Sequence, residues 1–519
     1  MSRAGVAGLR SRRPFAVLLA LALACVPGDP MADPRAAAAP PLAVRPGGPP
    51  PAPTPVPLPN GSPVLFIDDP ALLAPLGAGE FAFGTVALLP GRLVARPAQL
   101  ADLARHPDVS VVLEGLRSDL KAAAAKDPKS GVGLRYSHRR FDPAWLDHAA
   151  STLALVGIVN RPDRQPFAPQ HCGETRLIYR LKYGEFLLPL TVNAVFWQDR
   201  EPGQSCADVA KRWWVAEGQA PQARAKVAVA AAVRGRVARS QLKSVETNAQ
   251  TVRWPSSVRG DLGGHAEYSL RAFHPDAGGL LRAARLENSP EINRLNKPPL
   301  LVWLRDPANL AAIDRGTAQL PERFLAKSAL SVTPHGLGRR ANRPWRQLFE
   351  PKELADLPLA GFARLRSPVG LLRRLDTITC QGCHQSRSVA GFHWTGRQPA
   401  GTPDGLDISM SPHLHAMLPM RVAAAQGLAQ QGEVLPNGIA HAEGPPSAGR
   451  AGDHCGLGDP AFADWVCGAG LHCTAVGEGE VGACVPVKAQ IGSPCDAGPL
   501  TANADAHRDR RATTGKTAC

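Results

Sequence analysis

The sequence predicts a multidomain α+β protein: a mixed strand and helix body, a helical segment carrying a CxxCH motif, and a small disulfide-rich module at the C-terminus. Three observations carry this expectation. Short apolar runs bounded by turn residues recur from Val64 onward, Ala-rich stretches with helical spacing lie between and after them, and six of the 11 cysteines crowd into the last 65 residues. A chain of 519 residues is long enough for roughly two or three domains with a sizeable core.

The N-terminus comes first in chain order. Arg3, Arg10, Arg12 and Arg13 precede an uncharged apolar run, Phe15 to Ala24, which is the layout of a signal peptide over residues 1–24. The run is shorter than the about 20 residues needed to cross a bilayer. It ends in Ala22-Leu23-Ala24-Cys25, which resembles a lipobox and makes Cys25 the expected lipidation site. Ala-Leu-Ala also satisfies ordinary signal peptidase, so simple secretion is the alternative reading. Ser11-Arg12-Arg13-Pro14-Phe15 looks like a twin-arginine signal, but that route exports folded chains whereas disulfides are normally made after translocation, so generic basic charge is the preferred reading. Residues 25–62, with a Pro-rich stretch from Ala37 to Ser62, cannot pack a core and read as a spacer.

The α+β domain is expected over 63–345. Its strand-like runs are Val64 to Ile67, Leu153 to Val159, Arg176 to Leu181, Leu187 to Trp197 and Pro299 to Leu304. Cys206 to Ser244 reads as two helices broken near Gly218 and Pro221, with Trp213 and Trp214 as core residues. Residues 346–429 form the helical CxxCH segment, with breaks expected at Pro358 and Pro368. A linker over 430–453 leads to the module at 454–519. The formal charge of +15 comes from scattered Arg without a basic block or interleaved aromatics, which argues against a nucleic-acid partner.

The cysteines sort without remainder in an exported chain. Cys25 is the lipidation site, Cys172 and Cys206 flank two strand runs and are expected to bridge, and Cys380 and Cys383 belong to the CxxCH. Cys455, Cys467, Cys473, Cys484, Cys495 and Cys519 staple the tail, with connectivity open.

Thr379-Cys380-Gln381-Gly382-Cys383-His384 supplies what covalent haem c attachment needs: two thiols spaced by two residues, then an imidazole for the proximal face of the iron. Composition predicts only about 0.007 such matches by chance in this chain. Two other readings stand beside haem. One is a Cys380–Cys383 disulfide, and the other is a metal site of Cys380, Cys383, His384 and His393. With haem, His384 is the proximal iron ligand, and the distal candidates are His413, His393, His415, Met417 and Met420.

Several separated pieces resemble a family of uncharacterised exported proteins and lipoproteins of Gram-negative bacteria that carry a CxxCH like that of c-type cytochromes. Leu155 to Asp163 looks like its V-N-R-x-D strand end, and His171 to Tyr179 like its C-G-E-x-R segment. Thr379 to His384 is similar to its T-C-x-G-C-H, and Ser411-Pro412-His413 to its S-P-H. The resemblance implies an exported location and a two-part architecture, and it favours His413 over the methionines. Asn160, Arg161, Asp163, Glu174 and Arg176 are expected to form a buried ion-pair cluster between strands, structural rather than catalytic. Neither G-x-S-x-G, H-E-x-x-H nor a phosphate-cradling Gly loop is present, which argues against hydrolase and nucleotide-binding functions.

Two functions follow. The first is an envelope protein with one haem c, lipid-anchored at the periplasmic side or the surface, that acts in electron transfer or related redox chemistry with a redox partner protein. The second is a non-enzymatic surface lipoprotein whose cysteines are all structural disulfides and which binds a protein or glycan.

Overall fold

The computed structural model describes residues 61–88, 98–126, 128, 130–132, 136, 139–234, 237, 239–253, 265–292, 297–330, 343–380, 406–408, 412–434, 448–449, 454–475, 481–487 and 507–509. Of the two compact units, Met1–Ala52 and Pro53–Cys519, all of these belong to the second. Cys25, Cys383, His384, His393, Cys495 and Cys519 lie outside the described residues.

The body combines helices with several sheets. Its main sheet has nine strands: β1 (Phe66–Ile67), β2 (Arg139–Arg140), β3 (Ser151–Arg161), β4 (Glu174–Tyr183), β5 (Phe186–Trp197), β6 (Leu242–Arg253), β7 (His265–Pro275), β8 (Leu281–Ala283) and β9 (Ser328–Leu330). The order is β8-β7-β6-β5-β4-β3-β1, with β9 also on β7 and β2 also on β6, and every pairing is antiparallel.

The two faces of this sheet are chemically different, because successive side chains on a strand point to opposite sides. Leu177, Tyr179 and Leu181 of β4 enter the main apolar core, while Glu174, Arg176, Ile178 and Arg180 alternate with them. The apolar core is closed by α1 (Pro70–Ala78), α2 (Pro107–Lys126) and α4 (Pro221–Arg234). Helix α2 buries Val109, Val112, Leu113, Leu116 and Leu120, spaced three and four apart, so one stripe meets the sheet. The same helix buries Asp119, whose carboxylate accepts from Arg271 of β7 at 2.9 and 2.5 Å.

Of the two helices expected over Cys206 to Ser244, the first is only α3 (Cys206–Lys211), Trp214 and Val215 form a short strand, and α4 starts at the expected break, Pro221; Trp213 and Trp214 are buried as expected. Residues Leu242 to Ser244, expected to end the second helix, instead begin β6. A second core is helical: α5 (Lys297–Arg305), α6 (Pro307–Arg315) and α7 (Pro368–Thr377) pack around Leu300, Leu304, Leu310, Trp345, Leu371 and Leu375. Here the expectation of a strand over Pro299 to Leu304 fails, because this run lies inside α5. A six-residue apolar run has no period of its own. Pro298 and Pro299 fit a first helical turn, and Leu300 and Leu304 share the buried face while Val302 is 68% exposed. Pro368 likewise opens a helix, with Ser367 as N-cap.

Helix α8 (Pro412–Gln431) joins these parts. Its Ala424, Ala425, Leu428 and Ala429 pack on α3 and on the buried Cys172–Cys206 disulfide, Leu418 lies against the β3/β4 face, and Met420 enters the helical core. In the tail, β10 (His454–Gly456), β11 (Leu471–Ala475) and β12 (Val481–Pro486) form a three-stranded sheet of order β10-β12-β11, tied by Cys455–Cys473 and Cys467–Cys484. No described helix is long and apolar enough to cross a membrane.

Cys172 and Cys206 are 34 residues apart, so replacing both by Ala should lower unfolding free energy by about 3 kcal/mol, read from the urea midpoint. An unchanged midpoint would mean that α8 packing alone fixes α3.

Candidate functional site

The site grows from the end of β3 and the start of β4, two segments that a glycine lets approach. Gly173 has φ +108°, and a Cβ there would lie 2.6 Å from the carbonyl oxygen of Arg161, so a larger residue fits neither the backbone conformation nor the space. This brings Asn160, Arg161 and Asp163 beside Glu174 and Arg176. Gln198, 2% exposed, ties the join by donating to Asn160 Oδ1 and Thr175 Oγ1 at 3.0 Å each. Asn160 Nδ2 in turn donates to the Val64 carbonyl at 3.2 Å.

Two ion clusters lie here. In the first, Arg161 donates Nε and Nη2 to the two oxygens of Asp163 at 2.9 and 2.8 Å, and Arg421 of α8 also pairs with Asp163. Burial alone would raise the Asp163 pKa, but Arg161 and Arg421 outweigh it and hold the carboxyl well below the usual range. In the second, Glu174, whose side chain has no exposure, meets three cations. Lys243 Nζ donates to Oε1 at 2.5 Å, Arg176 Nη2 to Oε2 at 2.8 Å, and Arg164 Nε stands 3.6 Å from Oε1. Desolvation opposes its charge, and Lys243, Arg176 and Arg164 overcome that, so Glu174 is held well below the ordinary carboxylate pKa. Arg176 continues to Glu246 at 3.1 Å, and Arg164 reaches both oxygens of Glu287 at 2.6 Å.

Glu287 connects the cluster to the CxxCH. Cys380 is half-buried three residues after α7, its N–H donates to Ser289 Oγ at 3.2 Å, and its Sγ lies 3.5 Å from the Glu287 carbonyl oxygen. Its side chain packs on Leu270, Ala272, Leu286 and Ala329. Thr379, just before it, is fully buried and donates its hydroxyl to the Asp376 carbonyl at 2.7 Å. On the other side of Lys243 stands Trp197, with Nζ 4.5 Å from the ring centroid and His171 stacked on the ring at 4.2 Å. His171 Nδ1 pairs with Asp199 Oδ1 at 2.5 Å.

The expected ion cluster of Asn160, Arg161, Asp163, Glu174 and Arg176 is therefore present as two neighbouring clusters around the buried Asp163 and Glu174, joined through Asn160 and Gln198 and part-exposed at Glu246 and Glu287. Arg164, Gln198, Lys243, Glu246, Glu287, Ser289 and Arg421 belong to it without having been expected. Only Arg164, adjacent to Asp163, carried a sequence signal; the others lie far off in sequence and arrive through strand pairing or helix packing. Of the CxxCH, the structure describes Cys380 alone. His413, His415 and Met417 fall on the backbone of α8, with side chains outside the described residues, whereas Met420 is buried among the apolar residues of α5, α6 and α7. The sulfurs of Cys455, Cys467 and Cys473 lie within 4.8 Å of one another, a spacing accounted for by the two neighbouring disulfides.

Breaking a buried pair strands its partners, so Glu174→Gln should cost about 3–5 kcal/mol in urea unfolding, with Lys243 and Arg176 left facing a neutral amide. A loss no larger than that of an exposed-site control would show that water reaches the cluster. Asp163 contributes stability that is fully present above the usual carboxylate pKa of about 4 and is lost as pH falls toward its depressed folded value. Acid unfolding should therefore be less steep below about pH 4 in Asp163→Asn than in the natural chain, measured by circular dichroism against pH. Compared with protein families, curated proteins and solved structures, the chain matches none.

Proposed function

We propose that this chain is an exported cell-envelope protein, lipid-anchored through Cys25, that carries one haem c on Cys380, Cys383 and His384 and serves electron transfer with a redox partner protein. The observation that carries this reading is the cysteine pairing. Cys172, Cys206, Cys455, Cys467, Cys473 and Cys484 are all engaged with one another. None of these six competes for Cys380, whose neighbour in the motif is Cys383.

The donor set suits the group, since two thiols can add across two vinyl groups, each forming a carbon–sulfur bond while its proton goes to the neighbouring carbon. The apolar wall of Leu270, Ala272, Leu286 and Ala329 beside Cys380 suits a macrocycle edge. A bound haem iron supplies a one-electron couple. His384 would be one ligand of the iron, and His393, His413, His415, Met417 and Met420 are the candidates for a second. The chain's own contribution is a buried charge network and an apolar surface at the attachment point, both of which influence a redox potential through local dielectric and charge. We read the architecture behind this as a body over 63–345, a haem segment over 346–429, and a disulfide-rich module over 454–519 after a linker.

A second reading has its own support. Three disulfides and a buried ion network brace the described body and tail, which suits a rigid surface lipoprotein that binds a protein or glycan without chemistry.

The discriminating experiment is expression of the full chain in a periplasm equipped for cytochrome c maturation, followed by a pyridine haemochrome spectrum and a haem-stained gel. Covalent haem is expected, absent in His384→Ala and in the Cys380→Ser/Cys383→Ser double variant, with the protein in the membrane fraction and released from it in Cys25→Ser. Haem-free protein with a Cys380–Cys383 disulfide in its mass spectrum would overturn the haem reading and leave the second.

A further inference from the structure

The loop between β10 and β11 is seated on the helix that leads to Cys380. Ser367, the N-cap of α7, accepts from Gly370 N at 2.9 Å and donates to Asp459 Oδ1 at 2.8 Å, so one hydroxyl closes the helix and holds the tail. Arg366 pairs with Asp464 at 3.2 Å, and the Arg373 guanidinium lies 5.8 Å from the centre of the Trp465 ring. A Cβ on Gly370 would stand 2.3 Å from Ala461 Cβ, so the tail touches the helix at a point where a side chain does not fit. Phe462, Trp465 and Val481 form the described apolar cluster of the tail, and Val369 of α7 packs against them. The opposite face of α7, Leu371, Leu372 and Leu375, is buried in the helical core.

A segment with so small a core holds its shape through its bridges. Those bridges differ in access from the one in the body. Cys172 and Cys206 are 0% and 5% exposed, whereas Cys467 and Cys473, one in each tail bridge, are part-exposed residues. Exchange requires a thiolate to reach a sulfur.

We propose that the tail is a redox-releasable clamp on α7, opened by an external dithiol and coupled through α7 to the seat of Cys380. A thiolate of the dithiol attacks Cys473 Sγ, the Cys455–Cys473 bond breaks, and Cys455 leaves and takes up a proton. The second thiol of the reductant then resolves the mixed disulfide, freeing Cys473, so two electrons pass and the dithiol becomes a disulfide. Cys467 lies within 4.8 Å of Cys455 and Cys473, so a freed thiolate can attack it and release Cys484 with the thiol count unchanged. The product is a new bridge from Cys467 to Cys455 or Cys473, so reducing one native bridge removes the second native pairing by exchange. The tail then loses the shape that holds Phe462, Trp465 and Asp459 on α7, and the helix frays from its N-terminus toward Thr379 and Cys380.

The test uses the full chain and reads amide hydrogen exchange over 368–377, independently of what Cys380 carries. Under graded dithiothreitol with alkylation and mass mapping, the tail bridges should open at least about tenfold faster than Cys172–Cys206. Exchange in α7 should rise about tenfold as they do, with β3 to β5 unchanged. Cys455→Ser/Cys473→Ser should raise α7 exchange without any reductant, and Asp464→Ala should raise it more weakly with both bridges intact. Unchanged α7 exchange in the double variant, or earlier reduction of Cys172–Cys206, would overturn the clamp.

Discussion

Glu174 without solvent exposure is the constraint around which this molecule is arranged. An unpaired carboxylate could not occupy that position, and the cations that pair with it come from three places: Arg164 from the turn after β3, Arg176 from β4 itself, and Lys243 from β6. Two of them are committed further, Arg164 to Glu287 and Arg176 to Glu246, so the charge of one residue bears on the positions of five others. Such a network is weak evidence for stability as such, because desolvation opposes every pair in it. Its clearer effect is on register, since a strand shifted by one residue would place Glu174 in the apolar core.

That register gives the sheet its two faces. On one, Leu177, Tyr179, Val192 and Phe196 meet α2 and α4 in an apolar core; on the other, the ion network meets Cys380, Ser289 and α8. Helix α8 holds the second face at both ends, with Arg421 on Asp163 and an alanine stripe on α3 and the Cys172–Cys206 bridge. The candidate site is therefore built on strands and packed helices, which hold a side chain more closely than a free loop does.

A continuous physical chain also runs through the second half of the molecule. Asp459 holds Ser367, Ser367 caps α7, α7 leads to Cys380, Cys380 rests on Ser289 and Glu287, and Glu287 is gripped by Arg164 of the main network. Apart from the backbone that joins α7 to Cys380, each link is a hydrogen bond or ion pair. The C-terminal disulfides and the centre of the sheet are thus connected by contacts rather than by distance alone.

Much of this was legible in the residues themselves. Strands at Leu153 to Val159, Arg176 to Leu181 and Leu187 to Trp197 declared themselves by branched and aromatic runs between turns, and the breaks at Pro221 and Pro368 fell where helices begin. The charged residues of N-R-P-D and C-G-E-T-R could be expected together because charges inside apolar runs need partners. Local composition could not decide Pro299 to Leu304, where a short apolar run suits either state and only the burial of Leu300 and Leu304 against α6 and α7 selects the helix. Nor could it supply Lys243, Glu246, Glu287 or Arg421, because antiparallel pairing and helix docking bring together positions up to 258 residues apart, and sequence spacing carries no record of that. Covalent possibilities, such as the bridging of Cys172 with Cys206 or the chemistry open to Cys380, Cys383 and His384, are written in residue type and spacing. Which charges meet, and what Cys380 rests against, is decided by the packed sheet, because burial makes an unpaired ion costly.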